Sequence, residues 1–214
     1  SVAAETAVSQ GTGTPALFEN ADSTNISVTF DSNANKVVVT YRDQGNSGYG
    51  TAVVGTVSGT NISFGTPVVF NSAGVTLTSA VFDTASNKVV IAYKLQTGGI
   101  GTAIVGTVSG AGISFGSSAV FENASSLFIQ ATFDSNSNKV VIAYNDDANS
   151  NYGTAIVGTV SSTSISFGSA VVFKTARCDY IGITFDSASS KIVITYQDWG
   201  NSYCGTAIVG TVSG

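Results

Sequence analysis

The residues best suited to binding chemistry lie in three loops of similar sequence, at positions 42–49, 145–152 and 197–204. Each loop contains an Asp, then an Asn-Ser pair and an aromatic residue. Carboxylate and amide groups hydrogen bond sugar hydroxyls, an aromatic ring packs on the apolar face of a sugar, and such oxygens also suit Ca²⁺. The alternative is that Asp and Asn-Ser only form a turn. The candidate ligand-binding residues of the first two loops are Arg42, Asp43, Asn46, Tyr49, Asp146, Asn149 and Tyr152.

The third loop differs from the others because it contains Trp199, the single Trp of the chain. A charged and aromatic segment at 177–180 precedes it in the same part of the chain. A corresponding loop at 94–100 lacks the Asp and Asn-Ser pattern, which argues against several equivalent sites. The candidate ligand-binding residues here are Arg177, Asp179, Tyr180, Asp198, Trp199, Asn201 and Tyr203.

The two cysteines belong to this same region. Cys178 precedes one predicted strand and Cys204 follows the next loop, so both are expected at one end of a sheet. Strand spacing would separate them by about 9–10 Å, which is too wide for a bridge unless the loops curl inward. We predict a Cys178–Cys204 disulfide, which would indicate an oxidising compartment.

Catalytic chemistry has little support in the sequence. The chain has no His, which excludes Ser-His and Cys-His nucleophiles and His-bound metals. An Asp recurs before each predicted hairpin turn, and such a residue holds the turn by accepting backbone hydrogen bonds. A hydrolase would need two carboxylates that converge at about 5–9 Å. We predict no catalytic residue, and no metal or cofactor apart from the Ca²⁺ alternative. The Asp residues that recur before the hairpin turns are Asp31, Asp83, Asp134 and Asp186.

An internal repeat positions these loops. A Phe-Asp pair recurs after 52, 51 and 52 residues, and the Lys that opens the following strand has the same spacing. Each unit contains four segments rich in β-branched and aromatic residues, bounded by Gly, Asn, Asp or Ser. In the first unit they span 26–30, 36–41, 51–57 and 62–70. No stretch has helical periodicity, so we predict an all-β fold without helices.

The two ends of the chain predict how the array closes. The last unit stops after its third strand, whereas residues 7–18 supply a strand of the fourth type with no unit before it. If the first strand completes the last sheet, the array forms a ring. This arrangement resembles the closure of WD40-type β-propellers, although the Trp-Asp and Gly-His signature dipeptides are absent. The resemblance implies a four-bladed β-propeller with four antiparallel strands per blade, the last blade closed by the N-terminal strand.

We predict one domain over residues 1–214. Blade 1 covers about 25–70, blade 2 about 77–121, blade 3 about 128–173, and blade 4 about 180–214 together with 7–18. In an alternative arrangement, the N-terminal strand completes a neighbouring protomer and gives a swapped dimer or a larger ring. The repeats also resemble those of uncharacterised proteins of marine microbes and phages, a resemblance that implies no activity.

The composition of the chain limits the classes of partner that we expect it to bind. Charged residues make up 10% of the chain, the net charge is −5 and there is no run of Lys or Arg, so no nucleic-acid partner is expected. No apolar run approaches the roughly 20 residues that cross a bilayer, so membrane insertion is not expected. The chain lacks Met, so we expect either that a leader has been removed before Ser1 or that the chain is a segment of a longer protein. Three Asn-X-Ser sequons fit the removal of a secretory leader and predict an extracellular protein.

Two functions fit these features. The first is a non-catalytic binding module, monomeric or self-assembling, that recognises carbohydrate or another extracellular ligand through the loop face of the propeller. The alternative is a structural scaffold that packs into an extracellular, fibre, matrix or biomineral assembly with protein partners. A hydrolase that uses paired carboxylates is the third.

Overall fold

The computed structural model describes residue 11 and residues 13–213. In these residues the chain is all-β: fifteen strands form one antiparallel sheet, in which twelve follow one path from β1 to β15, while β4, β8 and β12 pair beside that path. The strands are β1 (Ser23–Asp31), β2 (Lys36–Asp43), β3 (Tyr49–Ser58), β4 (Asn61–Phe64), β5 (Val68–Asp83), β6 (Lys88–Leu95), β7 (Ile100–Ser109), β8 (Gly112–Phe115), β9 (Ala119–Asp134), β10 (Lys139–Asp146), β11 (Tyr152–Ser161), β12 (Ser164–Phe167), β13 (Val171–Asp186), β14 (Lys191–Asp198) and β15 (Cys204–Gly210).

Each repeat is built on the same pairing. In repeat 1, β2 pairs with β1 and β3, and the far edge of β3 pairs with β4 along one half and with the start of β5 along the other. The strand β5 then continues without a loop into repeat 2, where it pairs with β6. The strands β9 and β13 connect repeats 2 to 3 and 3 to 4 in the same way. The end of each repeat is therefore joined to the first strand of the next repeat by extended backbone, so that β5, β9 and β13 are each one continuous strand.

The hairpin turn of each repeat is held by its recurring Asp, as predicted. The Asp31 Oδ1 atom accepts hydrogen bonds from the backbone N–H groups of Asn33 at 2.9 Å and Ala34 at 2.8 Å. The following strand begins at Lys36, whose Nζ donates to Thr56 Oγ1 at 2.9 Å. The same Asp bonds recur at Asp83, Asp134 and Asp186.

The core lies between successive repeats rather than within one of them. One face of each sheet packs on the opposite face of the next, and a Phe from the fourth strand of one repeat packs on a Tyr of the next. Because no helix covers these sheets, burial depends on this stacking. The Phe–Tyr ring centroids are 5.2 Å apart for Phe70 and Tyr93, 5.3 Å for Phe121 and Tyr144, and 5.5 Å for Phe173 and Tyr196.

The predicted ring is not closed in the described residues. The first strands of neighbouring repeats pack together, β1 on β5, β5 on β9 and β9 on β13, but no such packing joins β13 to β1. Among the strands that the structure describes, β15 pairs only with β14, and residues 13–19 have no strand assignment. The four-bladed propeller closed by the N-terminal strand is therefore not confirmed. Part of that predicted strand, residues 7–10 and 12, lies outside the described residues.

Short helical turns correct the expectation that the chain has no helix. Three 3₁₀ turns, Gln44–Asn46, Asp147–Asn149 and Trp199–Asn201, lie in the candidate binding loops. Each follows an Asp that ends the preceding strand. Within the described range, no helix is long and apolar enough to cross a membrane.

Candidate ligand-binding site

The Asp and Asn-Ser pattern of the three loops forms a turn. The Asp43 Oδ1 atom accepts from the backbone N–H of Asn46 at 3.1 Å, and the Ser that follows the turn has a left-handed backbone with a φ of 58°. Asp146 binds the N–H of Asn149 at 3.2 Å, and Asp198 binds that of Gly200 at 2.9 Å. These carboxylates are buried, whereas Asn46, Asn149 and Asn201 are exposed at the surface of the turns.

In repeat 1, the candidate residues do not converge on a site of their own. The Arg42 side chain donates from Nη2 to Gln96 Oε1 at 2.9 Å and so connects repeat 1 to the loop of repeat 2. Tyr49 is half-buried at the start of β3, opposite Asp43. This loop therefore contributes to the contact between repeats.

The loop of repeat 3 lies beside the charged segment of β13. Tyr152 pairs across the sheet with Arg177. Burial, followed by the nearby charge of Glu122, raises the pKa of Asp146 above its ordinary value. The structure thus brings the loop of repeat 3 next to Arg177, and the loop of repeat 4 lies on the other side of Arg177.

The side chains of Arg177, Asp179, Trp199 and Tyr203 meet at the loop end of repeat 4, and we call them the Trp199 cluster. The Arg177 guanidinium lies 4.0 Å from the centroid of the Trp199 ring. The Tyr203 ring packs edge-on against Trp199, with centroids 4.8 Å apart and planes at 74°. Four residues that the sequence separates by up to 26 positions (177 to 203) therefore form one surface.

Buried carboxylates hold the cations of this surface. Asp179 accepts from Arg177 Nε at 3.0 and 3.1 Å and from Nη2 at 2.9 Å, which is a bidentate pair. This hydrogen bond raises the pKa of Arg177. Lys174 Nζ lies 2.7 Å from Asp198 Oδ2, and that hydrogen bond raises the pKa of Lys174. Both carboxylates are thus occupied by cations of the same surface, which fixes the Arg177 plane over the indole ring.

The aromatic part of the cluster is accessible from solvent. Trp199 is 41% exposed and Tyr203 is 57% exposed. Exposed rings beside a fixed guanidinium offer an apolar platform with hydrogen-bond donors at its rim, because Arg has five N–H donors. Chemically, such a surface can bind a neutral polyol or sugar.

Tyr180 lies elsewhere, in a second feature that sequence reasoning missed. The first strand of each repeat contains a bulge whose residue has a positive φ, between 50° and 55°. These four residues line a cavity of about 400 Å³ where the first strands approach each other. The only signal in the sequence is that the positions are equivalent in the repeat, because the residues are Asn25, Leu77, Phe128 and Tyr180.

Tyr180 and Tyr203 also line a groove of about 480 Å³ on the outer face of repeat 4. The groove floor contains Thr195, Gly205 and Ala207. Tyr180 packs on Phe128 with ring centroids 5.2 Å apart. The two tyrosines therefore border a surface of small residues beside the Trp199 cluster.

The predicted disulfide is absent, because Cys178 and Cys204 are both free. Both residues pair with Asp198, one from each neighbouring strand. Two strand spacings place their Cα atoms roughly 10 Å apart, beyond the roughly 7 Å limit for a disulfide. Cys178 is buried and Cys204 is exposed, and burial raises the pKa of Cys178 to about 11.

In the part of the chain that the structure describes, no cluster of possible ligand residues supports metal binding. No group of three or more His, Cys, Asp or Glu residues converges there as a metal site would require. The Asp oxygens of the three loops instead accept hydrogen bonds from their own turns.

No protein-family model and no curated protein matches the chain. Solved structures share its fold. The SapL1 lectin in complex with alpha methyl fucoside matches with a TM-score of 0.57 and 15% identity over 88% of this chain and 60% of the lectin chain. An exo-β-1,3-galactanase from Phanerochaete chrysosporium with β-1,3-galactotriose matches with a TM-score of 0.52 and 11% identity over 89% of this chain and 44% of the galactanase. The chain thus spans less than two thirds of either protein, and the likeness concerns the fold alone.

Proposed function

We propose that this chain is a non-catalytic carbohydrate-binding protein whose site is the Trp199 cluster. The observation that carries the proposal is the exposed Trp199 ring, fixed by Arg177 on one face and by Tyr203 at its edge. A sugar ring packs its C–H groups on such a platform while its hydroxyls bind the neighbouring polar groups. The lectin among the similar structures is in complex with a fucoside, which supports the same class of ligand.

The position of Arg177 favours a neutral sugar over a charged one. Its positive charge is already paired with the buried Asp179 in a bidentate geometry. An anionic ligand would compete with that carboxylate, whereas hydroxyl groups can use the remaining N–H donors of the guanidinium. The site therefore selects for shape and hydroxyl pattern rather than for charge.

The proposal also covers the architecture of the protein and the place where it acts. The four repeats act as blades of a β-propeller, with their first strands innermost around the cavity at Leu77 and Phe128. The protein works without catalysis and outside the cell, where glycans are accessible. The galactanase among the similar structures makes enzymatic activity the outcome to test against.

The test is a glycan array probed with the labelled chain and two variants. Trp199→Ala removes the platform, and Gln44→Ala changes the equivalent first position of the 3₁₀ turn in repeat 1. We expect specific glycans to bind the native chain and Gln44→Ala but not Trp199→Ala. Absence of any glycan signal, or equal binding by Trp199→Ala, contradicts the proposal, and cleavage of a bound glycan contradicts its non-catalytic part.

A structural scaffold is the second candidate, favoured by exposed apolar residues on the two terminal sheets. Val28 of β1 and Val209 of β15 are both 61% exposed. A scaffold would use such surfaces for assembly and would bind no glycan on the array. Binding to the array with loss in Trp199→Ala decides for the carbohydrate-binding function.

A further inference from the structure

We propose that two copies of this chain associate head to tail, with the outer face of repeat 4 of one copy packed on the outer face of repeat 1 of the other. The head face is formed by Ile26, Val28 and Phe30 of β1, and the tail face by Thr195, Ala207 and Val209 of β14 and β15. The template is the junction that already exists three times inside the chain, between successive repeats.

The residues of the head face correspond to buried residues of the internal junctions, but in the head face they are exposed. Ile26 is 54% exposed, whereas residues at its equivalent positions are at most 8% exposed. Phe30 is 55% exposed, whereas Phe82 and Phe133 at the same position are 7% and 9% exposed. The covered equivalents of Ile26 are Thr78, Ile129 and Ile181.

The tail face is the other half of the same junction. Val209 is 61% exposed, whereas its equivalents Val54 and Val105 are fully buried and Val157 is half-buried. Thr195 is exposed, whereas Thr40, Ala92 and Ala143 at its position are fully buried. Each terminal repeat therefore presents the surface that its internal counterparts bury against a neighbour.

The N-terminal segment is already in the position that this junction needs. Phe18 packs on Tyr41 with ring centroids 5.2 Å apart, the same separation as between Phe70 and Tyr93. The backbone of Gly13 contacts the carbonyl group of Thr60, just as Gly65 contacts Ala111 and Gly116 contacts Thr163. Residues 13–18 thus occupy the place of a fourth strand from a preceding repeat, on the surface of repeat 1.

Repeat 4 has the vacant position for that strand. In repeats 1 to 3, a Gly of the third strand touches the Phe of the fourth, so that an added Cβ at Gly50 would lie 2.4 Å from Phe70. At the equivalent Gly205, no atom of the described residues lies within 4 Å of an added Cβ. The free edge of β15 and the space at Gly205 match the Phe18 segment of a second copy, which would add as a strand.

The internal junctions share one backbone hydrogen bond, and its donor and acceptor positions are both present in the terminal repeats. The N–H of Val75 donates to Gly48 O at 2.9 Å, and the same bond recurs from Ser126 to Gly99 and from Cys178 to Asn151, each at 3.1 Å. By repeat position, the donor at the head is Ser23 and the acceptor at the tail is Tyr203. The docked copies would form this bond as well.

In the described residues, β1 and β13 border the same cavity of about 400 Å³ but do not pack on each other as neighbouring first strands do, so the faces beside them are open to a second copy. The head and tail are different surfaces, so two copies form a closed dimer when both pairs of faces meet. Trp199 stays accessible after this docking, because Gln44 and Asp147 at its position in covered junctions are exposed, whereas the docking covers Tyr203, because Gly48 and Gly99 at its position are buried.

The test uses one variant for each face. Phe30→Asp places a charge in the head face, and Gly205→Leu adds a bulky side chain to the tail face, at a position where an added Cβ meets no described atom within 4 Å. Light scattering should give a dimer for the native chain and a monomer of 21.6 kDa for each variant alone. An equimolar mixture of the two variants should form a dimer, because one intact head then meets one intact tail. Circular dichroism and thermal unfolding confirm that each variant is folded.

Three results would overturn the proposal. A native chain that remains a monomer at its highest soluble concentration shows that the faces do not associate. Variants that stay dimeric, or a mixture of variants that stays monomeric while the native chain is a dimer, show that association uses other surfaces. Polymers larger than a dimer show that two copies do not form a closed dimer. Glycan binding through Trp199 is measured independently, so its failure is distinguishable from these results.

Discussion

The guanidinium of Arg177 lies over the ring of Trp199, 4.0 Å from its centroid, in an orientation set by the buried carboxylate of Asp179. The pair combines a residue from the long strand β13 with one from the 3₁₀ turn after β14. Since the guanidinium is held in place before any ligand arrives, the aromatic platform loses little conformational entropy on binding. The candidate site is therefore preorganised by a contact between two elements.

Replacement of Arg177 by Lys should weaken glycan binding while the chain stays folded. Lys keeps the charge but loses the bidentate pair with Asp179 and the planar contact with the indole ring. We expect roughly fivefold weaker binding, the scale of an exposed cation–π contact. Titration with a glycan identified on the array measures the change. Arg42→Lys, in the equivalent region of repeat 1, is the control, and equal effects of both variants would contradict a specific role for Arg177.

The two cysteines should react with alkylating reagents at very different rates. Cys204 is exposed, whereas Cys178 is buried and has a pKa raised to about 11, which keeps its thiol protonated at neutral pH. Iodoacetamide should add one label to the native protein, at Cys204, and a second only after unfolding. Mass spectrometry without reductant counts the labels. An unfolded protein with no label at either cysteine would reveal the disulfide that the structure lacks.

Asp146 should make the protein less stable as the pH rises. Burial and Glu122 raise its pKa, so the folded protein binds this proton more tightly than the unfolded chain does. The free energy of unfolding therefore falls as the pH increases from the ordinary Asp value of 3.8 through the raised value. Asp146→Asn keeps an acceptor for the N–H of Asn149 and should add roughly 0.5 kcal/mol at pH 7, the scale of a partly screened charge pair.

Urea unfolding of the native chain and Asp146→Asn across this pH range measures the effect. The variant should lose part of the decline in stability with pH, and Glu122→Gln should produce a smaller change in the same direction because it removes the second cause. Parallel pH profiles for the native chain and Asp146→Asn would exclude Asp146 as the source of the decline.

Gly50→Ala and Gly205→Ala form a matched pair that measures packing between third and fourth strands. An added Cβ at Gly50 would lie 2.4 Å from the ring of Phe70, whereas the same atom at Gly205 has open space. Overpacking at Gly50 should destabilise the fold by about 1–3 kcal/mol, and Gly205→Ala should change the stability of the dilute monomer little. Urea unfolding compares them, and equal losses would contradict the different surroundings of the two glycines.

The repeating parts of the fold are predictable from the sequence because local chemistry determines them. The strand after each hairpin begins at the recurring Lys, as at Lys36 and Lys88, and the preceding Asp holds the turn. A carboxylate at this spacing satisfies backbone N–H groups wherever the chain turns. The same reasoning predicts the role of Asp43, whose carboxylate accepts a hydrogen bond from the backbone N–H of Asn46 and so forms a turn.

Features that depend on contacts between repeats are not predictable in this way. Leu77 and Phe128 have a φ of 55° and 50°, and bulky residues rarely have such values without support from their neighbours. Residues 71–74 are typical of a loop, yet they continue β5, because Asn71 and Gly74 pair with β3 and the pairing with β6 begins directly afterwards at Val75. Ring closure depends on small angles between sheets, which repeat spacing alone does not determine.

The candidate site is predictable in part. Trp199 and Arg177 are recognisable as departures from an otherwise regular repeat, and the structure brings them together. Arg42 departs in the same way but contacts Gln96 of the next repeat instead. The difference arises because each partner lies in a turn after another strand, Gln96 after β6 and Trp199 after β14, and its identity depends on the three-dimensional arrangement.

The most direct test of the carbohydrate-binding function uses the fluorescence of Trp199, because no other Trp contributes to the signal. A glycan identified on the array is titrated into the native chain, with Arg177→Lys and Gln44→Ala in parallel. The account predicts a saturable change in Trp199 emission that is unaltered in Gln44→Ala and shifted to higher glycan concentration in Arg177→Lys. Emission that stays constant while the glycan binds would contradict the assignment of the site to the Trp199 cluster.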